Sequence, residues 1–144
     1  MPPLSGRGKM ETDKLYGFAA RHGVTVDRYP LKENLSFSVS YNDSRYIAIN
    51  RELSGNREKV CLAHELGHCV TGSFYNIYAP LDVRGKHERR ADCWAIKKLV
   101  PEYRFNQAVK HGIDRIYELS EYFGVTPDFM KKAVEYYKTR QMNN

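Results

Sequence analysis

The chain has 144 residues, with a hydrophobic share of 42%, a charged share of 28% and a formal net charge of +6, the make-up of one globular domain with a real core. No apolar run approaches the roughly 20 residues of a membrane-spanning helix, and Met1-Pro-Pro-Leu-Ser-Gly-Arg-Gly-Lys-Met10 lacks the apolar centre of a signal peptide. A cytoplasmic protein with no membrane partner is therefore expected. The basic excess is spread out: residues 1–60 carry ten basic and seven acidic groups, residues 61–96 four of each, and residues 97–144 nine and six. Without a dense basic run, a solvated surface is the better reading, and nucleic acid is not expected as a direct partner.

Residues 1–9 have no periodicity and are expected to form a disordered leader ahead of a single domain over residues 10–144. Leu15, Phe18 and Ala19 recur at helical spacing in residues 11–22, with Thr12 or Asp13 to cap the start and Gly23 to end the helix. Val24 to Tyr29 follow, stopped by Pro30. Leu35, Phe37, Val39 and Tyr41 then alternate with polar residues, which means strand. Asn42-Asp43-Ser44 is turn chemistry and Tyr46-Ile-Ala-Ile-Asn50 comes next, so residues 35–50 read as an antiparallel hairpin.

Ser54 is a suitable N-cap for a helix that carries Val60, Leu62, Ala63, Leu66 and Val70 and ends at Gly72. Inside it lies His64-Glu65-Leu66-Gly67-His68, an H-E-x-x-H pattern. On a helix, His64 and His68 stand on one face about 6 Å apart along the axis, so both reach one ion, while Glu65 is placed to hold a water on that ion. Cys61 shares the face but lies roughly 10 Å from His68, too far for a common ion. The three cysteines, Cys61, Cys69 and Cys93, are an odd number on helical segments and are expected to be reduced thiols. Gly67 weakens the helix by up to about 1 kcal/mol, a cost usually accepted for the close approach of a backbone or ligand.

Residues 73–86 are aromatic and punctuated by Pro and Gly, and are expected to form an irregular run over the site. Residues 88–99 read as a helix whose stripe Glu88, Asp92, Ala95, Leu99 points one way. A catalytic zinc takes three protein ligands and keeps an open position, and His64, His68 and Glu88 make such a set, one ion per chain. Asp92 can receive the second N–H of a ligand histidine. A His₂-carboxylate set also suits Mn²⁺ or Fe²⁺. Three short helical patterns follow, separated at Gly112 and at Gly124-Val-Thr-Pro127, with Thr126 as a cap and Pro127 in the first turn. Residues 116–134 have a helix-turn-helix look, but their outward positions lack the Arg, Asn and Gln that read base edges best, so a packed helical hairpin is the reading preferred.

His64-Glu65-Leu66-Gly67-His68, followed by Glu88-x-x-Ala91-Asp92-x-Trp94-Ala95 and closed by Leu99-Val100-Pro101, resembles the ImmA/IrrE family of zinc-dependent metallopeptidases. Tyr46 to Asn50 and Leu119-Ser-Glu-Tyr-Phe-Gly-Val-Thr126 look like the same family's pattern, so the likeness covers about residues 11–137. Asp92 stands where Asn is common and Trp94 where Phe is common. The resemblance implies an α+β fold, mainly helical, with a small antiparallel sheet beside the H-E-x-x-H helix. It also implies a protein substrate, a helix-turn-helix transcriptional repressor of a mobile element or stress response. In the expected reaction, Glu65 is the base beside zinc on His64, His68 and Glu88, with Tyr75, Tyr78 or His87 as the oxyanion donor. The alternative is a non-catalytic zinc-containing regulator that binds a repressor or DNA through its C-terminal helices.

Overall fold

The computed structural model describes residues 4–33 and 35–143. Helix α1 runs Leu4–Arg21. The leader expected over residues 1–9 lies partly outside the described residues, and from Leu4 onward it is helical. Glycine weakens a helix by only about 1 kcal/mol, and the two prolines that would break one, Pro2 and Pro3, come before Leu4.

Strands β1 (Val24–Tyr29), β2 (Ser36–Tyr41) and β3 (Ser44–Asn50) follow, in the spatial order β1-β3-β2. The hairpin β2–β3 turns through Asn42 and Asp43, both at positive φ (49° and 63°), the conformation that two-residue hairpin turns need and that Asn and Asp tolerate. The sheet is mixed, not wholly antiparallel as expected, because β1 pairs parallel to β3. Burial explains the order. Ile47, Ala48 and Ile49 make β3 the most buried strand, so it takes the centre, and β1, which runs opposite to β2, lies parallel to β3 on its other side.

Pairs Ser36↔Ile49 and Ser38↔Ile47 share one face of the sheet, the face toward the core. Strand β2 therefore shows its serines to the interior and its apolar stripe to solvent, with Phe37 and Val39 each 44% exposed.

Helix α2 (Gly55–Thr71) packs on that inner face and ends at Gly72, whose left-handed φ of 66° lets its N–H close on the His68 carbonyl. Ser54 stands at the N-cap position, but its hydroxyl makes no capping bond. Helix α3 spans Leu81–Leu99, so the irregular run is confined to residues 72–80 and the helix opens ahead of residue 88. Gly85 lies within it, because an isolated glycine only weakens a helix. The two helices meet at Gly67, where an added Cβ would lie 2.5 Å from the Ala91 carbonyl oxygen. The glycine is there for a close backbone approach.

Helices α4 (Glu102–Lys110), α5 (Ile116–Phe123) and α6 (Pro127–Met142) complete the chain. Thr126 caps α6 by accepting the Phe129 N–H at 3.3 Å. Leu119 and Phe123 of α5 and Phe129, Met130 and Ala133 of α6 enter the same core as Leu62 and Leu66 of α2 and Ile47 and Ile49 of β3, each large side chain contributing about 2 kcal/mol. The α5–α6 hairpin thus spends its apolar faces on packing. Lys59, fully buried in α2, joins Glu11 of α1 at 2.7 Å and the Phe123 carbonyl of α5 at 3.3 Å. Among the described residues no helix is long and apolar enough to cross a membrane.

Candidate metal centre

Helical spacing sets His64 and His68 on the face of α2 that meets α3, and the Gly67–Ala91 contact brings α3 close enough for Glu88 to reach both. The two Nε2 atoms are 3.2 Å apart. Glu88 Oε2 lies 2.8 Å from His64 Nε2 and Oε1 lies 3.3 Å from His68 Nε2. One donor atom from each residue falls within 4.8 Å of the others, and no cysteine joins them.

Each imidazole is held from behind. His64 Nδ1 donates to Asp92 Oδ1 at 2.8 Å, and His68 Nδ1 donates to the Ser73 carbonyl at 2.6 Å. Both Nε2 atoms are thereby aimed at the same point, the arrangement that second partners give to metal-binding histidines. Asp92 is itself held by Lys132 Nζ of α6, 3.4 Å from Oδ2.

The electrostatics describe a place shaped for positive charge. Burial works to lower the His64 pKa, but its hydrogen bonds to Asp92 and Glu88 outweigh that and push it up to about 10. His68 is raised as well: burial opposes its charging, and Glu88 and the Ser73 carbonyl overcome it. Glu88 is held well below the usual carboxylate range by its hydrogen bonds to His64 and His68. In Asp92 burial pushes upward and the His64 bond prevails, so its pKa is also lowered. Two carboxylates thus converge on two imidazoles, with the Lys132 ammonium behind Asp92.

Glu65 takes no part in that convergence. Its side chain is buried beside it, Oε2 accepting the Ser36 hydroxyl at 2.7 Å and Oε1 the Ser38 hydroxyl at 2.8 Å. A cleft of about 510 Å³ opens over the group, walled by β2 on one side, by His64, Glu65, His68 and Glu88 on its floor, and by Ser73, Phe74, Tyr75 and Ile77 on the other side.

The three residues considered for an oxyanion donor part company here. Tyr75 lines the cleft, and its hydroxyl donates to Glu88 Oε1 at 2.7 Å. His87 stacks on the Tyr75 ring at 5.9 Å, outside the cleft wall, with its Nδ1 unpartnered. Tyr78 is 88% exposed and does not line the cleft. Four contributors escaped the sequence reading: Ser36, Ser38, Ser73 and Lys132. The serines at every second place in β2 were a usable signal, since side chains two apart share a face. The Ser73 contribution is a backbone carbonyl, which leaves no mark in a sequence.

A family model, the IrrE N-terminal-like domain (Peptidase_M78), matches residues 19–135. No curated protein matches the chain.

Proposed function

Because the chain belongs to the IrrE N-terminal-like peptidase family, and its function is accordingly of the metallopeptidase type, we propose that it is a zinc-dependent endopeptidase with Glu65 as the general base. The observation that carries this is the convergence of His64 Nε2, His68 Nε2 and Glu88 beside a carboxylate that is not among them. Two imidazoles, each with its rear partner in place, and a carboxylate are a donor set that zinc would accept on displacing the Nε2 protons, while keeping a position open. When bound, zinc supplies Lewis acidity toward a peptide carbonyl and makes water a usable nucleophile near neutral pH.

The remaining work falls to side chains. Glu65 accepts the proton of the attacking water and returns it to the departing amine. Ser36 and Ser38 hold the two oxygens of Glu65 and so fix the plane of its carboxylate toward the cleft. Tyr75 can release Glu88 and offer its hydroxyl to the carbonyl oxygen as charge develops there. Among the described residues the outer edge of β2 has no neighbouring strand, so an extended peptide can pair with it alongside the scissile bond. The substrate is then a protein. On the resemblance noted above, we take it to be a helix-turn-helix transcriptional repressor.

The test is Glu65→Gln. Proteolysis of the partner protein should fall by about 10²-fold or more while zinc content and thermal stability stay at the wild-type level. Undiminished cleavage would overturn the assignment of the base. Glu88→Ala should lower the zinc content of the purified protein, and an unchanged content would remove Glu88 from the ligand set.

A further inference from the structure

Residues 61–97 carry five basic and four acidic groups, and the fold sorts most of them by direction. Glu65, Glu88 and Asp92 face the metal centre. Roughly half a turn round α3 from Glu88 and Asp92, Lys86, Arg89, Arg90 and Lys97 line a surface groove of about 490 Å³ together with Cys93 and Trp94. All four cations are exposed. Among the described residues, none of the four has a hydrogen bond or ion pair to a carboxylate. On the same helix, Asp92 is already taken by His64 and Lys132, and Glu88 by His64, His68 and Tyr75. A composition that looks nearly balanced in sequence is therefore a one-signed trough in space.

We propose that this groove docks an acidic segment of a protein partner. Charge complementarity selects an anion, and the guanidinium groups of Arg89 and Arg90, both in the groove lining, present forks that match carboxylates. The cations run from Lys86 to Lys97, roughly 16 Å along the helix axis, the length of about five extended residues. Nucleic acid fits less well. The one aromatic side chain in the groove, Trp94, packs against Phe18 with ring centroids 5.5 Å apart and lies under Lys98, so its indole is not offered to stack with bases as single-strand binders require. Four cations on one straight stripe are also few for a duplex at physiological salt. The docking site lies on the reverse of the helix that supplies Glu88 and needs no catalysis.

Fluorescence anisotropy with the full-length protein decides it, using a labelled Asp/Glu-rich peptide, its Asn/Gln counterpart, and single-stranded and duplex oligonucleotides. The acidic peptide should bind, the amide peptide should not, and Arg89→Glu/Arg90→Glu should weaken the acidic peptide at least about tenfold. Glu65→Gln should bind like wild type, which separates this result from the fate of the catalytic reading. The proposal is overturned if the acidic peptide fails to bind, if the charge-reversed protein binds it equally well, or if either oligonucleotide binds more tightly than the peptide. Circular dichroism of the charge-reversed protein guards against misfolding. Lys86→Glu/Lys97→Glu, at two other exposed positions of the groove, should show the same loss, and if these variants alone bind normally the groove is not the site.

Discussion

The helix pair α2–α3 and the strand β2 both furnish the cleft, yet they do so by opposite kinds of order. In the helix pair, position along the chain nearly determines position in space: His64 and His68 are one turn apart, and Glu88 and Asp92 are again one turn apart. What remains is to bring two rigid rods together, and one glycine permits it. In β2 nothing local decides the outcome. Its apolar stripe, Leu35, Phe37, Val39 and Tyr41, would ordinarily be given to the core, but these residues are the exposed ones, while Ser36 and Ser38 face inward and grip Glu65. The difference teaches that a polar strand face can be the buried one when a charged side chain waits beneath it, because a buried carboxylate without donors is far costlier than an exposed Phe or Val.

Three perturbations sharpen the contrast. The largest effect is expected at β2. Ser36→Ala/Ser38→Ala removes both donors from Glu65, and hydrogen bonds to a charged group contribute about 1.5–3 kcal/mol each, so kcat should drop at least about tenfold. KM and zinc content should change little, and Ser→Thr at both positions should restore part of the rate. A loss seen mainly in KM would instead assign the serines to substrate binding. Next is the helix pair. Gly67→Ala gains about 1 kcal/mol of helix propensity but drives a Cβ into the Ala91 backbone, and overpacking of this kind costs typically 1–3 kcal/mol. The α2–α3 spacing must widen, so Tm should fall by several degrees and zinc should bind more weakly. A more stable protein would mean that the contact is softer than its 2.5 Å approach implies.

The smallest effect separates two caps that look alike in sequence. Thr126→Ala removes a bond to the Phe129 N–H and should destabilise by about 1 kcal/mol. Ser54 makes no such bond, so Ser54→Ala should fall within about 0.5 kcal/mol of wild type. Equal losses on chemical denaturation would show that Ser54 caps in solution.

Much of the fold was legible from local pattern. The hairpin turn at Asn42-Asp43, the end of α2 at Gly72 and the start of α6 at Thr126-Pro127 were all readable, because each depends on the conformational preferences of one or two residues. Where the reading failed, a local signal misled or the deciding partner was distant in sequence. The early start of α3 was masked by Gly85 and Pro80, which mark a loop in isolation and are tolerated at or just before a helix. The parallel pairing of β1 with β3 depends on which strand is buried most, a property of the whole sheet. Nearly balanced charge in residues 61–97 hid a cationic trough, since counting along a chain carries no direction in space.

By itself the sequence set the two one-turn pairs, His64 with His68 and Glu88 with Asp92, because helical periodicity fixes which side chains share a face. Only the tertiary structure decided what surrounds them. It turned the serines of β2 onto Glu65, gave His68 the Ser73 carbonyl, kept Tyr75 in the cleft wall and left Tyr78 out of it, and set four cations of α3 on the side opposite Glu88 and Asp92. Covalent spacing fixes neighbours within a helix, whereas contacts between elements are chosen by burial and charge summed over the whole molecule.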